Sequence, residues 1–123
     1  MRRNSMENTT TASSTVILIS REGLGDADLP LQHKLVEIYL NLLIESNLIP
    51  GAICFYTEGV KLAVSGSPVL KQLRSLEEKG VRLILCQTCL NYFGLVDNVE
   101  VGIVGGMTDI LEAQWKAEKV ISL

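Results

Sequence analysis

The sequence predicts an α/β fold, a three-layer α/β/α arrangement around a mostly parallel sheet of about five strands. Three observations carry this expectation. Short runs without alternation, apolar at most or all positions, recur at Val16–Ile19, Ala52–Tyr56 and Val81–Leu85, the pattern of strands covered on both faces. Segments with apolar residues at helical spacing lie between them. Strand and helix alternating at these intervals imply βαβ crossovers, hence a parallel sheet with helices on both faces.

The elements follow in order. After the first strand comes the loop Ser20–Asp28, then a helix from about Pro30 to Ser46. Proline suits a first helical turn, and Asp26 and Asp28 complement the positive end of the helix dipole. Leu31, Leu35, Ile38 and Leu42 form its expected inward stripe, widened by Val36, Leu40 and Leu43, and Asn47 and Pro50 end it. Val60–Val64 reads equally as a short strand or a helical turn. Ser67 followed by Pro68 signals the next helix start, with Val69, Leu70, Leu73 and Leu76 turned inward and Gly80 as the stop. Val99–Val104 is expected as the fourth strand. Thr108 is expected to cap a last helix reaching about Lys119, with Leu111 and Trp115 on its buried side, and Val120–Leu123 to add a final strand.

Composition bounds the function. With 123 residues, 47% of them hydrophobic, the chain can bury one core and is short for two. One domain is therefore expected over residues 15–123, after a polar tail, residues 1–14, expected to be disordered. The net charge of −3 argues against a nucleic-acid partner. No apolar run approaches the roughly 20 residues of a membrane span. Arg2 and Arg3 are not followed by an apolar stretch, so the start does not read as a signal peptide. Three cysteines, an odd number, point to a reducing cytoplasm.

Cys86 and Cys89 are the candidate catalytic residues. They fall where the Val81–Leu85 strand ends and a short helix, stopped by Gly94, begins. Backbone N–H groups at such a start favour an anion and are expected to lower a thiol pKa, and the thiolate is the form that attacks sulfur. Other readings stand beside this one. Both thiols are alternatively plain core residues. A thioredoxin-like disulfide has the right spacing, but that fold puts its pair after an early strand and needs a cis-Pro loop. Zinc requires two further ligands, for which only Cys54 and His33 are available, so no metal is expected. Cys54 reads as a core thiol and His33 as a solvated or capping residue, which leaves no Cys–His dyad.

In parallel sheets, ligands bind beyond the carboxyl ends of the strands. Arg21, Glu58, Thr88, Gly105 and Gly106 stand at those ends and are the expected lining of a pocket around the cysteines. Gly23-Leu-Gly25 lacks the third glycine of a phosphate loop, and Glu22, Asp26 and Asp28 would repel phosphate. It reads as a turn on the pocket rim. Gly105 and Gly106 offer N–H groups to an anion, although a simple strand-to-helix turn also accounts for them. Trp115 reads as core or as subunit interface.

Five blocks carry a family resemblance: Gly-Val-Lys-Leu at 59–62, Gly-Ser-Pro-Val-Leu at 66–70, Leu-Glu-Glu-Lys-Gly at 76–80, Cys-Gln-Thr-Cys-Leu-Asn-Tyr-Phe-Gly-Leu at 86–95 and Val-Gly-Ile-Val-Gly-Gly-Met-Thr-Asp-Ile at 101–110. Through them the chain resembles the DsrE/DsrF-like family of small sulfur-relay proteins over roughly residues 15–123. Within that family it is most similar to the DsrE-like domain of YedF-type proteins linked to selenium metabolism. The resemblance implies a sulfurtransferase-like protein that carries sulfane sulfur as a persulfide on Cys86, the cysteine eight residues before Gly94. Cys89 matches the second cysteine of the YedF-like branch. It also implies sulfur donor and acceptor proteins as partners, a TusA-like protein among the candidates, a trimeric or hexameric homo-oligomer, and no organic cofactor. A selenium equivalent of the transfer follows on family grounds alone. Two departures are visible. No TusA-like domain with a Cys-Pro-x-Pro motif precedes the matched region, and Tyr92 and Phe93 stand where some relay members carry basic residues. The alternatives are a non-catalytic oligomeric binding module with structural cysteines and a Cys-x-x-Cys dithiol redox protein.

Overall fold

Five short strands pair in the order β4-β3-β2-β1-β5. They are β1 (Thr15–Ile19), β2 (Ala52–Phe55), β3 (Arg82–Cys86), β4 (Ile103–Gly105) and β5 (Lys119–Ser122). The structure is a computed structural model and describes residues 12–123. All four pairings are parallel, with Ile17 opposite Ile53 and Ile53 opposite Leu83. The expected tail lies outside the described residues for positions 1–11. Within 12–14, Ala12 is buried.

The helices are α1 (Leu29–Glu45), α2 (Leu70–Glu78), α3 (Gln87–Phe93) and α4 (Met107–Lys116). The chain steps β1, β2, β3, β4 in one direction and then crosses back to β5 beyond β1. Right-handed crossovers therefore put α1 and α2 on one face and α4 on the other. Accordingly, α1 packs on α2, while α4 lies against β3 and β4. The three central strands are buried almost throughout, because helices cover both of their faces. No helix among the described residues is long and apolar enough to cross a membrane.

Several local expectations are corrected. On α1 the sheet-facing stripe is Gln32, Val36, Leu40 and Leu43, whereas Leu31, Leu35, Ile38 and Leu42 are exposed. The helix is apolar on two faces, and only one can meet the sheet. Residues 57–63 form a 3-10 segment, which resolves the ambiguous stretch. Helix α2 starts at Leu70, and Ser67 Oγ instead accepts the Val69 N–H at 3.1 Å in the preceding turn. Strand β4 begins only at Ile103. Before it, Val99 bridges antiparallel to Val64 and the Glu100 N–H donates to Ala63 O at 2.9 Å, so these residues pair with the 3-10 segment's end and not with β3.

Helix α4 is capped at Gly106, not Thr108, and ends at Lys116. The Asp109 carboxylate accepts the Gly106 N–H at 2.9 Å. Ile110 and Ala113 face the sheet, while Leu111 is 52% and Trp115 82% exposed, so the expected buried pair is on the outside. Three-residue spacing from Ile110 to Ala113 suffices to cover the two strands beneath, and Leu111 and Trp115 lie on the opposite side.

Candidate functional site: a thiol pair at the sheet's carboxyl edge

Strand β3 delivers Cys86 to the carboxyl edge, in register with Gly105 of β4. Cys86 also serves as the N-cap residue of α3, and Cys89 follows within the first turn. Helix α3 stops where the sequence indicates. Gly94 takes the left-handed conformation, φ 69°, that a side chain disfavours, and the Leu95 N–H closes the end by donating to Leu90 O at 2.9 Å. Cys54, Cys86 and Cys89 are all free thiols.

The two candidates are not equivalent. Cys86 is 1% exposed, whereas Cys89 is half-buried and faces the outside of the pair. The two thiols are close enough for Cys86 to act on the ionisation of Cys89. Cys86 makes no side-chain cap bond. The backbone donor on sulfur comes instead from the other side of the site, where the Thr57 N–H donates to Cys89 Sγ at 3.0 Å.

Thr57 follows β2 and opens the 3-10 segment with φ +47°, a strained setting for a β-branched residue. Its hydroxyl bonds to Ser20 O at 2.5 Å, with Tyr56 O a second acceptor at 2.7 Å, which ties the residue to the end of β1. Gly59 lets the segment sit there. A Cβ at this position would stand 2.0 Å from Ile19 O and 2.8 Å from Ile19 C. That same carbonyl accepts the Tyr56 N–H at 3.1 Å, so the segment cannot retreat without losing this bond.

Burial, more than any other influence, pushes the Cys89 thiol up from its ordinary pKa. The neighbouring Cys86 thiol pushes in the same direction, and the Thr57 N–H opposes both. The expected lowering by a helix start is therefore corrected for Cys89, where desolvation and the neighbouring sulfur outweigh the backbone donor. Cys54, the core thiol of β2, is pushed up to about 11 by burial, with partial opposition from the Arg82 charge.

The remaining predicted residues are spread around the edge. Arg21 pairs with Asp26 at 3.4 Å and Glu58 with Lys61 at 2.8 Å. Thr88 is exposed on α3. Gly105 and Gly106 form the β4-to-α4 turn, in which the Asp109 carboxylate accepts the Gly106 N–H. His33 Nε2 meets Glu22 Oε2 at 3.1 Å, which anchors the rim loop, and Gln32 Oε1 accepts the Ala27 N–H at 3.0 Å in the same loop.

Two residues contribute in ways the sequence does not show, although Thr57 stands at a strand's carboxyl end, where the site is expected. Thr57 is polar and sits at a strand end, but nothing in a threonine signals a positive φ. Lys61 supplies the basic group missing from the cysteine segment, with Nζ 4.5 Å from the centroid of the Phe93 ring. Lys61, Phe93, Glu22, Ser65, Ser67 and Leu95 line a cleft of about 330 Å³ that reaches α3 at Phe93. Phe93 follows Cys89 by four residues, so both occupy one face of α3. A separate apolar groove of about 280 Å³, lined by Tyr39, Leu43, Leu48 and Ile121, lies between α1 and β5, away from the thiols.

Comparisons with known proteins agree with this architecture. The ychN protein from E. coli superposes with a TM-score of 0.64 at 18% identity, over 89% of this chain and 97% of that one. MTH1491 from Methanobacterium thermoautotrophicum, a protein of unknown function, gives 0.65 at 19% identity, over 89% and 97%. BT1422 from Bacteroides thetaiotaomicron, a conserved protein of unknown function, gives 0.62 at 17% identity, over 92% and 97%. These likenesses speak for the fold. No curated protein sequence matches the chain. The model of one family matches residues 15–123, from the first residue of β1 through the thiol pair to the end of β5, and by that match the chain belongs to the DsrE/DsrF-like family.

Proposed function

We propose that the protein is a sulfurtransferase-like persulfide carrier that works through the Cys86–Cys89 pair. The observation that carries this reading is the outer thiol itself: Cys89 is free, shares the start of one short helix with a second free thiol, and is held by a main-chain N–H at 3.0 Å. Donors of this kind stabilise sulfur that carries negative charge. Family membership, generally related to sulfur relay, supports the same reading. The cleft of about 330 Å³ offers a donor an approach to the face of α3 that bears Cys89. A raised pKa makes loading slow at neutral pH, but a more basic thiolate is also the better nucleophile.

A reducing, cytoplasmic setting suits three free thiols. Sulfur donor and acceptor proteins are the proposed partners, a TusA-like protein among them, and selenium transfer is the variant suggested by the YedF-type resemblance. The chain forms a homo-oligomer in this reading, a trimer or hexamer, because α1 presents Leu31, Leu35, Ile38 and Leu42 outward and α4 presents Met107, Leu111 and Trp115. The spacing of four, three and four residues along α1 is that of a helix–helix seam.

Intact-mass spectrometry after exposure to a persulfide donor tests the proposal. A one-sulfur adduct or a Cys86–Cys89 disulfide is expected on the wild type, and neither on the Cys86→Ala/Cys89→Ala double variant. An unchanged wild-type mass with thiols shown to be free would overturn it. That result would favour the second reading, a non-catalytic binding module, which the burial of Cys86 and the raised pKa of Cys89 support.

A further inference from the structure

The pair inverts the usual order of access in a Cys-x-x-Cys segment, and the order has chemical consequences. Cys86, the first cysteine, ends a central strand and is 1% exposed. Cys89, the second, is half-buried and of the two alone receives a main-chain N–H. A sulfane donor approaching from solvent therefore meets Cys89 first. The buried Cys86 sits three residues earlier, at the cap of the same short helix, close enough to act on the ionisation of Cys89.

We propose that sulfane sulfur loads on Cys89 and that Cys86 then expels it as hydrosulfide, so that the pair releases sulfur reductively. This assignment rests on the persulfide reading above and deepens it. In the first step the Cys89 thiolate attacks the outer sulfur of a persulfide R–S–SH. The bond from Cys89 Sγ to that sulfur forms, the donor's S–S bond breaks, and RS⁻ leaves. In the second step Cys86, having lost its proton to water, attacks Cys89 Sγ. The Cys86–Cys89 disulfide forms, the bond to the outer sulfur breaks, and HS⁻ leaves with the electron pair. The sulfane sulfur gains two electrons and the two cysteine sulfurs together lose two, so a single turnover needs no other oxidant. An external dithiol resets the pair by thiol–disulfide exchange.

Thr57 is the positioning residue for the first step. Its N–H faces the sulfur that must carry charge while it attacks, and its hydroxyl bond to Ser20 O holds that N–H in place.

The test is an anaerobic single turnover with glutathione persulfide, read by intact mass and by hydrosulfide release. Wild type is expected to release one hydrosulfide per chain and to lose two hydrogens in mass. Cys86→Ser is expected to keep a one-sulfur adduct and release no hydrosulfide, and Cys89→Ser to show neither product. Because Cys86 is buried, Cys86→Ala is run beside Cys86→Ser, and whichever shows the wild-type circular dichroism spectrum is scored. A stable adduct on Cys89→Ser would overturn the assignment while leaving a persulfide carrier. So would a wild type that keeps its adduct and forms no disulfide. Absence of any adduct, disulfide or hydrosulfide in every variant would overturn the persulfide reading itself, and this assignment with it.

Discussion

Replacing Gly59 by alanine isolates the physical basis of the site. The new Cβ would stand 2.0 Å from Ile19 O and 2.8 Å from Ile19 C, with Ser20 N at 3.3 Å. All three are backbone atoms of a central strand's end, so no side chain can swing aside. Relief requires the 3-10 segment to move outward by about 1 Å or more, since contacts under about 3 Å are not sustained. Overpacking of this kind costs roughly 1–3 kcal/mol. Loss of the Tyr56 N–H bond to Ile19 O, 3.1 Å in the wild type, adds about 1 kcal/mol. The sum is on the order of 2–4 kcal/mol, read as a lower urea midpoint at unchanged slope. The same displacement carries Thr57 away from Cys89 Sγ. Loss of that N–H removes the one influence that opposes the raised Cys89 pKa, so the alkylation midpoint of Cys89 moves to higher pH. A variant within about 0.5 kcal/mol of wild type, with an unshifted Cys89 profile, would refute the close-approach argument.

Three further outcomes are expected. Thr57→Val keeps the shape but loses the hydroxyl bond to Ser20 O; the backbone relaxes from φ +47°, and the Cys89 alkylation midpoint moves up in pH, a readout that a purely structural role would leave in place. Cys54 has a pKa of about 11 in the fold against an ordinary 9.0, so the native state holds this proton more tightly than the unfolded chain. Its contribution is full below pH 9 and is lost as pH rises through about 11, on the order of 3 kcal/mol, and Cys54→Ala is expected to flatten that alkaline limb in urea titrations at stepped pH. Trp115→Ala is expected to change monomer stability by less than about 0.5 kcal/mol, because the side chain is 82% exposed, while sedimentation velocity shows weakened self-association; a loss of about 3–5 kcal/mol would instead mark a core tryptophan.

The sheet was legible because its central strands are covered on both faces and spell apolar runs, unbroken in Val16–Ile19 and interrupted only by Arg82 in Val81–Leu85. Facing was less legible where a helix is apolar on two faces. On α1, Leu35 and Val36 are equally hydrophobic neighbours, yet one is 37% exposed and the other fully buried. Packing against the sheet and α2 makes that choice, and periodicity alone cannot. The Val99–Val104 run has strand composition, but its first half is drawn to Val64 and Ala63, a partnership 35 residues away along the chain. At the site, the spacing of Cys86 and Cys89 was readable. Their unequal burial was not, since it depends on where β3 ends and α3 turns. Thr57 and Lys61 come from a 3-10 segment whose conformation is set by its contact with β1.

The position of β5 has a consequence for how the chain acquires its structure. Strands β1 to β4 are joined by successive nearest-neighbour crossovers, but the outer flank of β1 is completed only when Lys119–Ser122 docks along Thr15–Leu18. That pairing joins segments about a hundred residues apart, the slowest class of contact to form. Until it forms, a five-residue apolar strand presents unpaired N–H and C=O groups along one side. Refolding yield should therefore fall with protein concentration more steeply than equilibrium stability alone implies, and conditions that speed docking of residues 119–122 should restore it.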